Sequence, residues 1–249
     1  MTAAGLEGLI VLGVFIALMV GFLAASQRWP AHFRRIPAFE ELNRAIERAV
    51  EAGERVHVSL GTGSVIGPES APALAGLAAL TRIARATSMS DRPVVVTAGD
   101  GAMAILAQDT LRTTYQEVGA SELYEPTSGR LLGATPLSYA AGLPAVLANE
   151  QVSVHVLSGA YGFEAGLAAD FGERARVFVI GGTDDVQAQA LLYTVAQHPL
   201  IGEEVFASGA YLDVGAMHKA SLRAQDVVRF GLIVLVLLGV IVSTFEGLA

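Results

Sequence analysis

Cysteine is absent from this chain of 249 residues. Its absence excludes disulfides, cysteine-built zinc sites, iron–sulfur clusters and cysteine nucleophiles. Charged residues are also scarce, at 16% against about 25% in typical soluble domains. Lysine occurs once, at Lys219, among 16 basic residues, so the middle of the chain has no P-loop lysine. The sequence also has no G-x-S-x-G elbow and no H-E-x-x-H motif. It therefore predicts no catalytic residue and no metal site, and it names no cofactor.

Apolar residues, 53% of the chain, are concentrated at its two ends. Gly8–Gln27 is a run of 20 residues without charge, about the length of a helix that crosses a bilayer core. Phe230–Phe245 is a second such run, of 16 residues, and Arg229 before it can snorkel and lengthen the span. We predict a transmembrane helix at each end. The alternatives are a cleaved signal peptide for the first run and a buried core helix for the second. A signal peptide would carry cations before its apolar run, whereas the only charged residue among residues 1–7 is Glu7.

The basic residues beside both apolar runs lie on the side of the middle segment. They are Arg28, Arg34, Arg35, Lys219, Arg223 and Arg229. The positive-inside rule then predicts a cytoplasmic middle segment, with both termini on the outer side. The predicted organisation is an N-terminal span with a basic collar over 1–35, a cytoplasmic domain over 36–217, and a second collar and span over 218–249.

The middle segment is acidic. Residues 36–217 hold 10 basic and 21 acidic side chains, a net charge of −11. An acidic domain disfavours nucleic acid as a partner, whereas the basic collar favours anionic lipid headgroups. The predicted partner is the lipid bilayer, and nucleic acid is not expected.

Small residues recur every four positions in the first apolar run, at Gly13, Ala17, Gly21 and Ala25, and the second run carries Gly239 and Ser243. In helices these positions share one face, where two backbones can approach closely. The interpretation is packing between the two spans or between subunits, which predicts a homo-oligomer or a membrane-protein partner. The alternative is that small residues are simply common in membrane helices.

The middle segment alternates between strand and helix patterns. Strands are predicted over 55–60, 93–98, 151–158 and 176–181, with a short one over 130–132. Helices are predicted over 38–52, 102–118, 137–148 and 163–172. Further helices follow the first and the last of the four glycine loops and end at about 86 and about 197, and another runs from 216 into the second span. Helical crossovers make the strands parallel, and continuous apolar runs indicate strands covered on both faces. The predicted fold is α/β, a Rossmann-like parallel sheet covered by helices and flanked by the two transmembrane helices.

An internal repeat in the sequence, called the internal echo below, indicates a duplication. Val56-His57-Val58 runs to a glycine three residues on, and Val154-His155-Val156 does the same. The halves would be 38–118 and 137–197, related by a pseudo-twofold axis. Chance similarity of short strands is the alternative.

Four glycine loops follow the predicted strands, at the edge where such sheets bind ligands. The candidate ligand-binding residues are Gly61, Thr62, Gly63, Ser64, Gly99, Asp100, Gly159, Gly181, Gly182, Thr183 and Asp184. Glycines let a backbone approach a ligand, and helix N-termini favour anions. The GTGSVIG stretch departs from a dinucleotide fingerprint in its last glycine, and no acidic residue follows at the ribose-binding distance. Tight strand-to-helix turns are the alternative role for these glycines.

Polar residues near these loops have structural roles as alternatives to chemical ones. Asp100, Thr183 and Asp184 are expected to cap helices, although the Asp184-Asp185 pair could hold a divalent cation. His57 and His155 occupy matching strand positions, where packed and hydrogen-bonded imidazoles are more common than catalytic ones.

The layout of the chain, with a span at each end around RIPAFEELNRAIERAVEAGERVHVSLGTG and its α/β continuation, resembles an uncharacterised family of bacterial membrane proteins classed as a domain of unknown function. The resemblance covers most of the chain and implies only the layout, because it carries no activity or site residues.

Three functions are compatible with these observations. The first is a non-enzymatic membrane scaffold or assembly subunit, favoured by the double anchor and the small-residue faces. The second is a membrane-tethered sensor that binds a small ligand or nucleotide at the glycine loops. The third is a nucleotide-dependent enzyme, which rests on fold analogy alone.

Overall fold

The computed structural model describes residues 3–26, 28–29 and 32–248. Gln27, which ends the first predicted span, lies outside the described residues. The chain divides into two compact units, one formed by Met1–Arg34 with Gly215–Ala249 and one formed by Arg35–Val214. Each unit is described by itself.

The terminal unit consists of two long helices, α1 (Ala3–Ala25) and α9 (Ala216–Leu248). Both are apolar and long enough to span a membrane, over Glu7–Ala25 and Ala216–Phe245. The helix predicted from residue 216 into the second apolar run is confirmed, since α9 is continuous. The two helices pack against each other. Arg223 of α9 places its guanidinium 4.5 Å from the centre of the Phe22 ring.

Most of the small-residue stripe lies away from this contact. Gly13, Ala17 and Gly21 are exposed, as are Gly239 and Ser243, whereas Ala25 is half-buried. A Cβ added at any of those three glycines would have no atom within 4 Å beyond its own helical turns in the described chain. The half-buried face of α1 carries large side chains instead, with Phe22 among them. Within one chain, the exposed residues of the stripe are therefore free of the second helix, and the predicted role of the stripe in packing stays a prediction.

The other unit is a parallel sheet covered by helices. Its helices are α2 (Pro37–Ala52), α3 (Ser70–Thr87), α4 (Gly101–Glu117), α5 (Pro136–Asn149), α6 (Glu164–Arg174), α7 (Val186–Val195) and α8 (Ser208–Tyr211), with 3₁₀ turns at Ser121–Leu123, Pro126–Ser128 and Gly202–Ala207. Its strands are β1 (Arg55–Gly61), β2 (Val95–Ala98), β3 (Gly129–Leu131), β4 (Val152–Ala160), β5 (Phe178–Gly182) and β6 (His198–Leu200). The predicted α/β class and all five predicted strands are confirmed.

The strand order is β3-β2-β1-β4-β5-β6, and every neighbouring pair is parallel. The chain builds outward from β1 to one edge and then from β4 to the other, so the direction of winding reverses between these two strands. His57 of β1 lies directly opposite His155 of β4. The two strands of the internal echo are thus the central pair, and the two halves occupy equivalent sides of the sheet.

Both faces of the sheet carry a hydrophobic core, as the continuous apolar strands require. Val156 and Ile180 belong to the core under α2, α3 and α4, whereas Leu157 and Val179 belong to the core under α5, α6 and α7. Successive side chains of a strand point to opposite faces, so each central strand contributes to both cores. Helices on both faces leave the two ends of the strands as the places where loops can form a site.

Helix starts follow local capping rules, with one correction. Asp100 caps α4 by accepting a hydrogen bond from the Met103 N–H at 2.9 Å, as expected. The expected caps of α7 are wrong: Asp185, and neither Thr183 nor Asp184, accepts the Ala188 N–H at 2.7 Å. The reason is that β5 continues to Gly182 and α7 begins at Val186, which leaves Asp185 in the capping position.

Candidate ligand cleft at the carboxyl edge of the sheet

An open cleft of about 570 Å³ lies at the carboxyl ends of β1, β4 and β5. Its lining comprises Thr62, Pro68, Glu69, Ala160, Tyr161, Gly162, Asp184, Asp185, Val186 and Gln187. The cleft sits where the winding of the sheet reverses between β1 and β4, the place where open α/β sheets bind ligands. Its volume lies within the range of small-molecule sites. The cleft therefore lies at the edge of the sheet where the fold predicts ligand binding.

Most of the predicted glycines shape this edge without lining the cleft. A Cβ at Gly61, whose φ is +74°, would overlap the Ala160 carbonyl, and one at Gly159 would overlap the Leu60 carbonyl. These glycines therefore allow β1 and β4 to lie close together at their ends. Gly181 and Gly182 likewise allow close packing at the end of β5. A Cβ on Gly181 would lie 2.8 Å from Leu192 of α7, and one on Gly182 would lie 2.9 Å from Leu200 of β6.

The remaining predicted residues divide between the cleft and its surroundings. Thr62 and Asp184 line the cleft. A Cβ on Gly63 would overlap Ala160, and one on Gly99 would lie 2.7 Å from Thr62. Ser64 is half-buried and accepts a long hydrogen bond from its own loop, and Asp100 caps α4. Thr183 is buried and accepts the Tyr161 N–H at 3.2 Å, so it supports the wall of the cleft from behind.

The cleft is acidic. Glu69, Asp184 and Asp185 line it, and its described lining contains no lysine or arginine. Acidic side chains also stand at several helix N-termini of this edge, although the start of α3, beside Glu69, has no side-chain cap. Asp100 caps α4, Asp185 caps α7, and Glu164 lies in the first turn of α6. A phosphate would meet the negative charge of these carboxylates, so the electrostatics weigh against a nucleotide.

Glu164 is a buried acidic residue that contacts two residues of the cleft lining, with 1% of its surface exposed. Its Oε1 accepts hydrogen bonds from the Thr62 hydroxyl at 2.8 Å and from the Gly162 N–H at 3.0 Å. Its Oε2 has no hydrogen-bond partner in the described part of the chain. Both donors line the cleft, so this carboxylate ties the β1 loop to the β4 loop and keeps one oxygen unpaired.

A chain of buried hydrogen bonds leads from the cleft wall into the centre of the sheet. Its members, in order, are Tyr161, Ser59, Tyr139, Thr97, His57 and His155. The successive donor–acceptor distances are 2.7, 2.5, 2.9, 2.9 and 2.8 Å. The chain links β1, β2, β4 and α5 through side chains that are all buried. It therefore ties the central strands to one covering helix.

The direction of this chain follows from its last member. The Ala168 carbonyl beside the His155 ring favours a proton on Nε2, so we assign His155 Nδ1 as the acceptor and His57 Nδ1 as the donor. His57 Nε2 then accepts from Thr97, Thr97 accepts from Tyr139, and Tyr139 accepts from Ser59. The Tyr161 hydroxyl shares its proton between the Ser59 carbonyl at 2.6 Å and the Ser59 Oγ at 2.7 Å. Both histidines stay neutral in this assignment, and His155 Nε2 has no hydrogen-bond partner in the described part of the chain.

Burial keeps the network uncharged. Desolvation, aided by the neighbouring His155 and Arg130, holds the pKa of His57 well below its ordinary value. Burial lowers the pKa of His155 to about 4, against a smaller opposing effect of the Ala168 carbonyl. Burial also raises the pKa of the Tyr139 and Tyr161 hydroxyls. The network is thus a neutral element of the core, as expected for the two histidines, and none of its charged forms is favoured at neutral pH.

Sequence reasoning missed several residues that matter at this edge. Glu164 gave no signal because a single glutamate at a helix start reads as an ordinary first-turn acid. Tyr139 lies on α5, and nothing local connects it to Ser59 or Thr97. Pro68 and Glu69 line the cleft from the loop before α3, and Gln187 lines it from the first turn of α7. Across the described residues, no group of three or more histidine, aspartate or glutamate side chains could hold a metal ion.

The comparisons with known proteins give one family. No curated protein and no solved structure matches the chain at a significant level. A family model described as a domain of unknown function, DUF6754, matches residues 3–249, which include both terminal helices and the whole sheet. The chain therefore belongs to the family of the domain of unknown function DUF6754.

Proposed function

We propose that this protein is a membrane-anchored binding protein whose α/β unit takes up a small ligand in the cleft at the carboxyl edge of the sheet. The observation that carries the proposal is the open cleft of about 570 Å³ at the point where the sheet reverses its winding. A cleft at this point is preformed by the strand order, because the loops after β1 and β4 diverge to opposite faces. The cleft then needs only side chains of suitable chemistry.

The anchor is part of the proposal. Two apolar helices that could span a membrane, with basic residues between them and the α/β unit, support a cytoplasmic α/β unit with both termini on the outer side. In this arrangement the basic residues lie at an anionic lipid surface, and that surface repels the acidic α/β unit. The bacterial source implied by the family resemblance stays a prediction.

The side chains of the cleft favour binding over catalysis. Its described lining contains no histidine, serine or cysteine. The hydroxyl of Ser59 and both central histidines are buried in the hydrogen-bond network, where a substrate cannot reach them. A nucleophile and a base within hydrogen-bond reach of each other and of the ligand are what an acyl- or group-transfer enzyme requires. Binding without chemistry is therefore the simpler function for this cleft.

The proposal is tested by blocking the cleft. Val186 lines it, is 77% exposed and begins α7, so Val186→Trp fills the cleft without disturbing the core. Ile105→Trp, at a 68% exposed position of α4 outside the lining, is the matched control. The full chain in detergent micelles is incubated with a library of small metabolites, and retained compounds are identified by affinity-selection mass spectrometry.

We expect a compound that is retained by the wild type and by Ile105→Trp and is lost with Val186→Trp. Retention of every bound compound by Val186→Trp, or no retained compound for the wild type, would contradict the proposal.

Assembly through the membrane helices is a second candidate function, supported by the exposure of Gly13, Ala17 and Gly21 on a face that α9 does not cover. Small residues at this spacing permit close helix packing between chains. Gly21→Leu would then lower the oligomeric state measured by native mass spectrometry, whereas Val20→Leu at the adjacent exposed position would leave it unchanged. An unchanged mass for Gly21→Leu would refute this role.

A further inference from the structure

A second cavity, which we call the α1 groove, lies at the C-terminal end of α1. It has a volume of about 570 Å³, and its described lining comprises Gly21, Ala24, Ala25, Arg28 and Trp29. These residues belong to the last turns of α1 and to the segment directly after it. The α1 groove shares no residue with the cleft of the α/β unit, so an inference about its occupant rests on the membrane anchor of the proposed function and not on that cleft.

The floor of the α1 groove is apolar and has no large side chain. Gly21 and Ala24 are exposed, and a Cβ added at Gly21 would have no atom within 4 Å beyond its own helical turns in the described chain. Ala17, one turn before Gly21, is exposed as well, and residues four apart share one face of a helix. The floor therefore continues along α1 into the apolar run as a shallow channel beside the exposed side chain of Val20. A thin and flexible fatty acyl chain can follow such a channel in continuous contact.

Arg28 gives the end of the α1 groove beyond the apolar run a positive charge. Its side chain is exposed, and the described lining contains no acidic residue. Among the described residues, no carboxylate forms an ion pair with Arg28. Its guanidinium is therefore available to a ligand, and a guanidinium fits two phosphate oxygens at once.

A second arginine adds to this charge. Arg223 of α9 donates a hydrogen bond to the Trp29 carbonyl at 2.7 Å, and its guanidinium lies 4.5 Å from the centre of the Phe22 ring. The charge of Arg223 is thus within the screening length of about 10 Å from a residue of the lining. A headgroup that carries its own ammonium would be repelled by the two guanidinium groups, whereas a headgroup with a net negative charge is attracted.

Trp29 indicates the depth at which a ligand would bind. Its side chain is 67% exposed, and it follows the end of the apolar span at Ala25. Tryptophan rings favour the headgroup level of a membrane. If α1 spans the membrane, Arg28 stands at the depth of the lipid phosphates and the apolar floor at the depth of the acyl chains. A phospholipid has its phosphate and its acyl chains in the same order along the helix.

We infer that the α1 groove binds an anionic phospholipid. Its phosphate accepts hydrogen bonds from Arg28, the Trp29 ring covers the glycerol region, and one acyl chain lies over Ala24, Gly21 and Ala17. Attraction to the basic collar as a whole would depend on every cation of the collar to a similar degree. The site differs from such attraction because it depends on Arg28.

Fluorescence quenching observes this site directly, because Trp29 is the only tryptophan of the sequence. The full chain is reconstituted into vesicles of phosphatidylglycerol and phosphatidylcholine in equal amounts. In one set the first lipid carries bromine near the headgroup end of its acyl chains, and in the other set the second lipid does. Bromine quenches tryptophan at short range, so the two sets compare how often each lipid occupies the α1 groove in membranes of identical charge.

We expect the wild type to prefer the anionic lipid about fivefold or more, since one basic residue at a membrane surface contributes about that factor. Arg28→Gln should reduce the preference to about twofold or less. Arg34→Gln, the same change of charge in the basic collar but outside the described lining, is the matched control and should keep it. No preference in the wild type, or equal losses in the two variants, would overturn the inference.

A second pair of variants provides a reading if Arg28→Gln does not enter the vesicles. Ala24→Leu places a large side chain on the floor of the α1 groove and should lower the preference at least about twofold. Val20→Leu, at an exposed position outside the described lining, should leave the preference unchanged. The inference is wrong if Ala24→Leu keeps the full preference.

Further arms separate a lipid from other occupants. Sodium phosphate should leave the quenching as it is in sodium chloride of equal ionic strength, and relief by phosphate alone would reveal a site for the free ion and overturn the inference. Weak and equal quenching by both lipids, as expected where a second copy of α1 covers the groove, would overturn it while the anchor stands. Flotation of the vesicles reads the anchor by itself, and a chain that does not float with them would overturn both the anchor and the inference.

Discussion

The pair formed by His57 and His155 should make the α/β unit less stable as the pH falls. Both imidazoles are fully buried and hydrogen-bonded to each other at 2.8 Å through their Nδ1 atoms. Both have pKa values that burial lowers. The folded chain thus resists protonation at sites where the unfolded chain takes up protons freely. Stability from these residues is complete above the ordinary pKa and is lost as the pH falls toward the folded pKa.

The size of the effect follows from the pKa of His155. This pKa is about 4 in the folded chain, against an ordinary value of 6.5. One pKa unit corresponds to about 1.4 kcal/mol, so the loss from His155 reaches about 2 kcal/mol at pH 5 and about 3 kcal/mol at pH 4. The pKa of His57 is lowered too, so its contribution has the same sign. Such losses are a large fraction of a typical stability of about 5–15 kcal/mol.

Chemical denaturation of the full chain in detergent micelles, followed by far-UV circular dichroism at pH 7, 6 and 5, measures the effect. His155→Gln removes one titrating group, so its free energy of unfolding should depend less on pH than that of the wild type, by about 2 kcal/mol between pH 7 and 5. Ser59→Ala is the control, because it breaks the same network without removing a histidine and should keep the wild-type pH dependence. Parallel curves for wild type and His155→Gln would refute the reasoning.

Three further predictions concern the packing of the chain. Gly61→Ala should lower the free energy of unfolding by more than about 3 kcal/mol or abolish folding, because the positive φ of Gly61 and the Ala160 carbonyl leave no room for a Cβ. Gly101→Ala is the control: it lies in open space at the start of α4 and should change the free energy of unfolding by less than about 1 kcal/mol. Tyr139→Phe should lower the denaturation midpoint by an amount equivalent to about 1–3 kcal/mol, since two buried hydroxyls lose their partner, and an unchanged midpoint would argue against the network. Arg223→Gln should lower the thermal unfolding temperature of the full chain in micelles, by an amount equivalent to about 1 kcal/mol, because the contact with Phe22 is lost. Arg223→Lys should lower that temperature by less. Equal unfolding temperatures for the wild type and both variants would contradict the prediction.

The central strands and most helices were predictable from the sequence because their signals are local. A strand covered on both faces must be apolar along its whole length, and the segments that became β1, β2, β4 and β5 carry that pattern. Asp100 was recognised as a helix cap because the capping hydrogen bond spans three residues. The strand β6 escaped recognition, since three residues with a proline at the centre resemble a turn.

The sequence predicted the edge of the sheet on which the candidate site lies, but not the cleft itself. The glycine loops marked the carboxyl ends of the strands, and the cleft lies there. Most of those glycines, however, face other parts of the chain, as at Gly61 and Gly159. Asp184 and Asp185 are neighbours with the same side chain, and only the end of β5 and the start of α7 decide which of them caps the helix.

The sequence by itself determined the two apolar terminal helices, the alternation of strand and helix, the acidic character of the middle segment and the exclusion of cysteine chemistry, because each depends on composition or on spacing within one element. Only the tertiary structure decided the reversal between β1 and β4, the pairing of His57 with His155 across 98 residues of sequence, and the meeting of Glu164 with Thr62 across 102. These contacts depend on which strands become neighbours. Strand order is set by the packing of whole helices against both faces of the sheet, and no local pattern encodes it.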